Sequence, residues 1–294
     1  MQKTGRILAG IGIVWLGFFA TAATTRNTEN KSTPSFSSPE RVDDMYSQID
    51  FGTGQVLDRA VFQKAYRGYL NLKEAGKLNN ARPILSVCDF SLSANTRRLW
   101  VIDLSARKVL YNTWVAHGQG SGEEFAVRFS NRENSHQSSL GFYVTNDTYT
   151  GDNGYSLKLS GMDDGYNSHA YDRSIVMHGA DYVCQSFIEG NQRLGRSWGC
   201  PAVPVQLAVP IINAIKDSTC LFIYYPDKRY LAASQWLRRE PARFEEPRLK
   251  PADSAIAVAN VSGRDSGMLK DCAGAQNVYQ GVTLAGGRPG VSAP

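Results

Sequence analysis

From Ile84 onward the chain is patterned in short apolar or alternating runs separated by polar, glycine-rich turns. The runs cover Ile84 to Phe90, Leu99 to Leu104, Val109 to Ala116, Leu140 to Val144, Tyr155 to Leu159, Ile175 to His178 and Leu221 to Tyr225. Runs of this length and composition predict β-strands. Two segments carry a helical period instead. Val61, Ala65, Tyr69 and Leu72 fall on one stripe, with Asp58 placed as N-cap, Leu57 and Phe62 as a hydrophobic staple and Gly76 as the stop. Leu207, Ile211 and Ile215 form a second stripe, in which Pro210 fits only within the first turn. The pattern predicts a helical element over residues 42–81, followed by one mainly β domain over 82–228 containing few helices.

The flanks read differently. Lys3 and Arg6 precede an apolar run from Ile7 to Ala20, and Ala20-Thr21-Ala22 offers small residues for cleavage. Residues 1–23 therefore read as a secretory signal peptide, with an uncleaved anchor as the alternative. Residues 24–39 hold ten Ser, Thr or Asn with Pro34 and Pro39, so 24–41 reads as a flexible linker. Residues 229–294 lack periodicity and read as a flexible tail. No second apolar run of spanning length follows the first, so the mature chain is expected in the periplasm or outside the cell, without stable membrane insertion.

Charge adds little. Thirty-two Lys and Arg against 27 Asp and Glu give +5, which suits an anionic wall polymer and is equally ordinary solubility charge. No basic run interleaved with aromatics points to nucleic acid. The cysteines add more. Export would expose Cys88, Cys184, Cys200, Cys220 and Cys272 to an oxidising compartment, and an odd number leaves one thiol free or paired between chains. The other four permit three pairings.

The most informative stretch is IVMHGADYVCQSFIEGNQRLGRSWGCPAV, from Ile175 to Val203. An apolar strand delivers His178 to its C-terminal end, where Gly179 lets the chain turn. Ser197-Trp198-Gly199-Cys200-Pro201 sets a thiol in a rigid bend able to aim backbone N–H groups at one spot. A free thiol titrates near ~8.5, so a neighbouring imidazole or the Arg196 cation would be needed to raise its thiolate fraction. On spacing alone Cys200 is a nucleophile or half a disulfide, and His178 a base or a hydrogen-bonded core residue.

The spacing His178-Gly179, then Ser197-Trp198-Gly199-Cys200, resembles the active-site motif of the L,D-transpeptidases. The segments VAHGQGSG, SNRENSHQSSLGFYVT, GYSLKLSGMDDGYN and RLGRSWGCPAV extend the likeness over about residues 84 to 226, to the divergent branch of murein L,D-transpeptidase catalytic domains. The resemblance implies a β-sandwich or mixed-sheet fold, no metal or cofactor, and stem peptides of peptidoglycan as substrate. It implies Cys200 as nucleophile, His178 as general base, the Gly179 carbonyl as orienter of the imidazole, Gly199 and Cys200 N–H as oxyanion donors, and Ser197 as the residue that holds the loop. Trp198 and Pro201-Ala202 depart from the better-known members. For the stem-peptide carboxylate, Arg196 or Arg193 is the expected cation.

Other residues carry weaker expectations. His117 is a rival base, a substrate contact or structural support; His136 is a loop hydrogen-bonder or a cleft residue. Asp163 and Asp164 read as turn residues between Gly161 and Gly165. Trp198 packs beside the thiol or binds sugar. Two rival functions stay open: a zinc peptidase using His117, His136, His169 or His178 with Asp163 or Asp181, and a non-catalytic wall-binding module with Cys200 bridged.

Overall fold

The computed structural model describes residues 44–239. The expected signal peptide, the linker and the segment beyond residue 239 lie outside the described residues. Helix α1 (Arg59–Glu74) begins where the sequence places it, because the Asp58 side chain accepts from the Val61 N–H and caps the first turn. Leu57 and Phe62 are fully buried as the staple requires. The helix ends where Gly76, at φ +67°, takes up the left-handed conformation.

The strands are β1 (Ile84–Asp89), β2 (Leu99–Asp103), β3 (Lys108–Thr113), β4 (Gly141–Gly151), β5 (Gly154–Gly161), β6 (Val176–Gly179), β7 (Ala202–Val203) and β8 (Cys220–Tyr224). They form one eight-stranded mixed sheet in the order β3-β2-β1-β8-β4-β5-β6-β7. All seven predicted runs are strands. Only β7 escapes the pattern, since two residues are too few to show a period. The fold is mainly β with few helices, consistent with an L,D-transpeptidase-like architecture.

The remaining helices are α2 (Gln185–Asn191), α3 (Val205–Ile215), α4 (Lys228–Ala233) and α5 (Gln235–Arg238). Pro210 lies within α3 and not in its first turn. The amide it lacks would have bonded the carbonyl of Gln206, and that residue is exposed, so water can satisfy the orphaned group. The domain also runs past residue 228, where a tail is expected. Tyr230, Trp236 and Leu237 are buried, and the buried Asn71 of α1 donates to the carbonyls of Trp236 at 2.7 Å and Arg239 at 2.8 Å. Three apolar residues at uneven spacing supply no period, so tertiary contacts order this segment: α1 on one side, and on the other the Met162 carbonyl, which accepts from Trp236 Nε1 at 2.7 Å.

The sheet's two faces differ. Leu157, Met177 and Val203 point into the main core with α1, β1 and β8, whereas His178 and Ala202 do not share that side. No helix of the described residues is long and apolar enough to cross a membrane. At the centre of the core Phe142 stacks on Phe222 with centroids 4.1 Å apart, and Gly68 of α1 lies against the same ring. A Cβ at Gly68 would meet Phe142 Cζ at 2.0 Å. Gly68→Ala should therefore lower stability by up to about 2 kcal/mol, the roughly 1–3 kcal/mol of overpacking less the roughly 1 kcal/mol gained in helix propensity. A urea midpoint at or above that of the wild type would contradict this packing.

Candidate active site

Strand β6 carries His178 and pairs on one side with β5 and on the other with β7. The register sets Ser156 opposite His178, Lys158 opposite Val176, and Ala202 beside His178. Because β7 follows the Ser197–Pro201 bend directly, its parallel pairing draws the cysteine loop alongside the histidine strand. From the other side, segment 116–119 clamps the loop: Ala116 N–H donates to Ala202 O at 2.8 Å, Ser197 N–H to His117 O at 3.0 Å, and Gln119 N–H to Ser197 O at 2.8 Å.

The bend is tied internally by Ser197. Its hydroxyl donates to Cys200 O at 2.6 Å and accepts from Gly199 N–H at 3.1 Å. Gly199 sits at φ +124°, a conformation L side chains rarely adopt. Gly118 serves the same packing, since a Cβ there would lie 2.4 Å from His136 O and 2.8 Å from Gly199 Cα. The tie has a chemical consequence. The Gly199 amide, one of the two donors expected for an oxyanion, is already engaged by Ser197, while the Cys200 amide lies against its own sulfur.

Cys200 is a free, partly exposed thiol. Its sulfur accepts from Val176 N–H at 3.5 Å and donates to Ser174 O at 3.8 Å. Both partners belong to the chain leading into His178. Burial pushes the thiol's pKa up, against which the Val176 amide and the Arg173 guanidinium pull it down. The resting sulfur is therefore a neutral thiol turned toward Ser174, not an ion paired with the imidazole.

His178 is buried, and its Nδ1 lies 2.9 Å from Gly179 O. A carbonyl only accepts, so Nδ1 holds the proton and Nε2 keeps its lone pair. Burial lowers the imidazole's pKa, partly offset by the Gly179 bond, and the ring is neutral near pH 7.

Several expected site residues do other work. Arg196 and Arg193 share one carboxylate, that of Glu123, with Arg196 Nη1 to Oε1 at 2.6 Å and Arg193 Nε to Oε2 at 3.0 Å, which holds both side chains in place. His117 stands in the interior. It is fully buried, accepts at Nδ1 from Arg98 Nη2 at 2.7 Å, and has its pKa driven down to about 3 by burial and that cation. Arg98 is itself fully buried, held by the Val115 and Leu92 carbonyls. His136 is a loop residue stacked on Trp198, centroids 5.0 Å apart, and Trp198 is 72% exposed beside the thiol loop.

The cysteines also depart from the expected pairing. Cys88 and Cys220 are free and buried, and Cys184 is disulfide-bonded. Cys220 lies opposite Leu85 and Cys88 opposite Ile223, so the two sit three positions apart on parallel neighbours. At ~3.3 Å per residue that offset is beyond disulfide reach. Cys272 lies outside the described residues.

No three His, Cys, Asp or Glu side chains converge as a metal site among the described residues. The Asp163 carboxylate is instead occupied by Phe142 N–H at 2.7 Å, the Tyr230 hydroxyl and the Ser234 hydroxyl. It is a buried tie between the sheet and α4, not simply a turn residue.

A family model for the L,D-transpeptidase catalytic domain matches residues 53–224. The chain belongs to that family. Solved structures similar to this L,D-transpeptidase domain include an L,D-transpeptidase in complex with imipenem, 12% identical over 48% of this chain and 59% of that one, TM-score 0.31. An L,D-transpeptidase from Mycobacterium smegmatis is 12% identical over 49% and 59%, TM-score 0.30. A variant of the helical cell shape determining protein Pgp2 from Campylobacter jejuni is 14% identical over 59% and 62%, TM-score 0.33. The chain thus spans 59% to 62% of the length of these three. Curated proteins yield no match.

Arg173 is the site residue that sequence reasoning misses. Its Nη1 donates to Ser130 O and Ser139 Oγ, and its Nη2 to Gln137 O at 2.8 Å and Ser135 Oγ at 3.3 Å. A Cβ at Gly199 would come within 3.4 Å of Nη2. Nothing in the Tyr-Asp-Arg-Ser segment marks it, because its partners lie some 34 to 43 residues away. Alkylation of Cys200 by iodoacetamide should be slow at pH 7 and rise with pH as the thiol ionises. In Arg173→Met the rise should move to higher pH, and an unmoved profile would remove the guanidinium from the sulfur's electrostatics.

Proposed function

We propose that the chain is a cysteine acyltransferase acting on the stem peptides of peptidoglycan. The observation that carries this reading is a free thiol in a serine-tied bend laid beside a histidine whose Nδ1 proton is pinned, leaving Nε2 free to take a proton. Family membership supplies the substrate class. Peptidoglycan lies outside the cytoplasm, in keeping with the export signal expected over residues 1–23.

In this mechanism the Cys200 side chain turns from Ser174 toward the imidazole. Resting contacts need not be the reactive ones, since catalytic hydrogen bonds commonly tighten only with substrate bound. His178 Nε2 removes the S–H proton as sulfur attacks the carbonyl of the third stem residue, the L-centre of a diamino acid. The Cys200 amide donates to the resulting oxyanion. The C–N bond breaks, His178 returns the proton to the leaving D-Ala amine, and a thioester remains. Attack by the side-chain amine of a neighbouring stem gives a 3→3 cross-link and restores the thiol. Attack by water gives L,D-carboxypeptidase activity.

Among the described residues no carboxylate pairs with His178, and the Gly179 carbonyl fixes its tautomer. Its lowered pKa keeps it a competent base near neutrality, while below its pKa the protonated ring can accept nothing from sulfur. Activity should accordingly fall on the acid side. Incubation with disaccharide-tetrapeptide should yield a protein adduct lighter than full addition by one D-Ala, absent in Cys200→Ala. An active enzyme that never forms this adduct would defeat the proposal.

A further inference from the structure

Arg193 and Arg196 are both tethered to the one Glu123 carboxylate, so a cation free of any carboxylate is to be sought elsewhere for the stem peptide. The sheet register supplies one. Lys158 stands opposite Val176 in the antiparallel β5–β6 pair, and directly opposed residues project from the same face. That face is the one bearing His178, two residues along from Val176. The alternate residues Leu157 and Leu159 turn the other way into the core.

Position toward the nucleophile follows from the same pair. Val176 N–H lies 3.5 Å from Cys200 Sγ. Opposed Cα atoms are ~4.5–5.5 Å apart, so Lys158 Cα lies within roughly 11 Å of the sulfur. A lysine stem spans about half that distance or more. The chain that walls the lysine also reaches the thiol: Tyr171 flanks the ammonium, and Ser174, three residues later, accepts from Cys200 Sγ.

The ammonium itself is held and unneutralised. Nζ lies 5.7 Å from the centroid of Tyr149 and 5.8 Å from that of Tyr171, both rings partly exposed. Two aromatic faces fix a cation without discharging it, and among the described residues no ion pair involves Lys158. A half-buried lysine between two tyrosine rings suits a small anionic group arriving from solvent, with the tyrosine edges excluding part of the water around it.

We infer that Lys158, walled by Tyr149 and Tyr171, binds the free carboxylate of the residue that leaves from the scissile bond. This rests on the proposed stem-peptide chemistry and adds its specificity: the enzyme selects the peptide end because the departing residue must present a carboxylate. One residue spans ~3.3 Å of extended chain, which lets a single peptide reach both the thiol and the ammonium. Lys158 is a binding residue and takes no part in bond making.

Test peptides are the free-acid tetrapeptide, its C-terminal amide, and a tetrapeptide amidated instead at the carboxylate of its second residue. Wild type should prefer the free acid to the C-terminal amide. Lys158→Met, which keeps the stem and removes the charge, should raise KM for the free acid about tenfold with little change in kcat. It should leave the C-terminal amide unaffected, and Lys158→Arg should recover most of the loss. The peptide amidated at its second residue should behave as the free acid; if it alone matches the variant's loss, the site binds the wrong carboxylate and the inference fails. Equal losses on all peptides, or none, would also overturn it. Calorimetry of the same peptides with Cys200→Ala and Cys200→Ala/Lys158→Met separates the two readings. A charge-dependent difference there upholds the carboxylate site even if no turnover is seen, and its absence sinks the site even if the adduct forms.

Discussion

The parallel pairing of β6 with β7, only His178 with Ala202 and Gly179 with Val203, is the constraint on which the site depends. Neither partner could hold this geometry alone. A two-residue strand has little stability of its own, so β7 is kept in place by Ala116 on its other side and by Ser197 within the bend. Once the ladder forms, thiol and imidazole strand become neighbours whatever the intervening residues do. The long excursion from Ala180 to Arg196 is held separately, by the burial of Val183 and Leu194 and by the Glu123 ion pairs.

Electrostatics around the bend are arranged by exclusion as much as by attraction. Glu123 ties up two arginines that would otherwise crowd the cleft with charge. Arg98 is buried against carbonyls and a neutral imidazole. What remains near the sulfur is one guanidinium, Arg173, fixed by four oxygens from the Ser130–Ser139 segment and unable to collapse onto the thiol. Burial nevertheless dominates at Cys200, so the resting enzyme stores a proton on sulfur and needs a base to remove it.

Much of the architecture is legible in the sequence because it is written in periodicity. Seven strands, the capped helix and its staple depend on local pattern and occur where expected, although β4 runs on to Gly151, past the expected end at Val144. The cysteine and histidine also stand out, as glycine and proline frame them. What escapes is whatever long-range pairing decides. Arg193 and Arg196 look free along the chain and are bound in space by Glu123. Arg173 and Lys158 carry no local mark, since one owes its place to loop carbonyls and the other to strand register. The unpaired Cys88 and Cys220 follow the same rule: oxidation chemistry suggested bridges, and register forbids a bridge between them.

Those two buried thiols have a practical corollary. Burial drives the pKa of Cys88 up to about 12 and that of Cys220 higher still, while Cys184 is already oxidised. Among the described residues, a water-borne electrophile thus finds a single free thiol both accessible and near polar neighbours. Selectivity for Cys200 over Cys88, Cys184 and Cys220 is built into the fold, so among these four a warhead can be chosen for its fit to the cleft and not for discrimination between thiols.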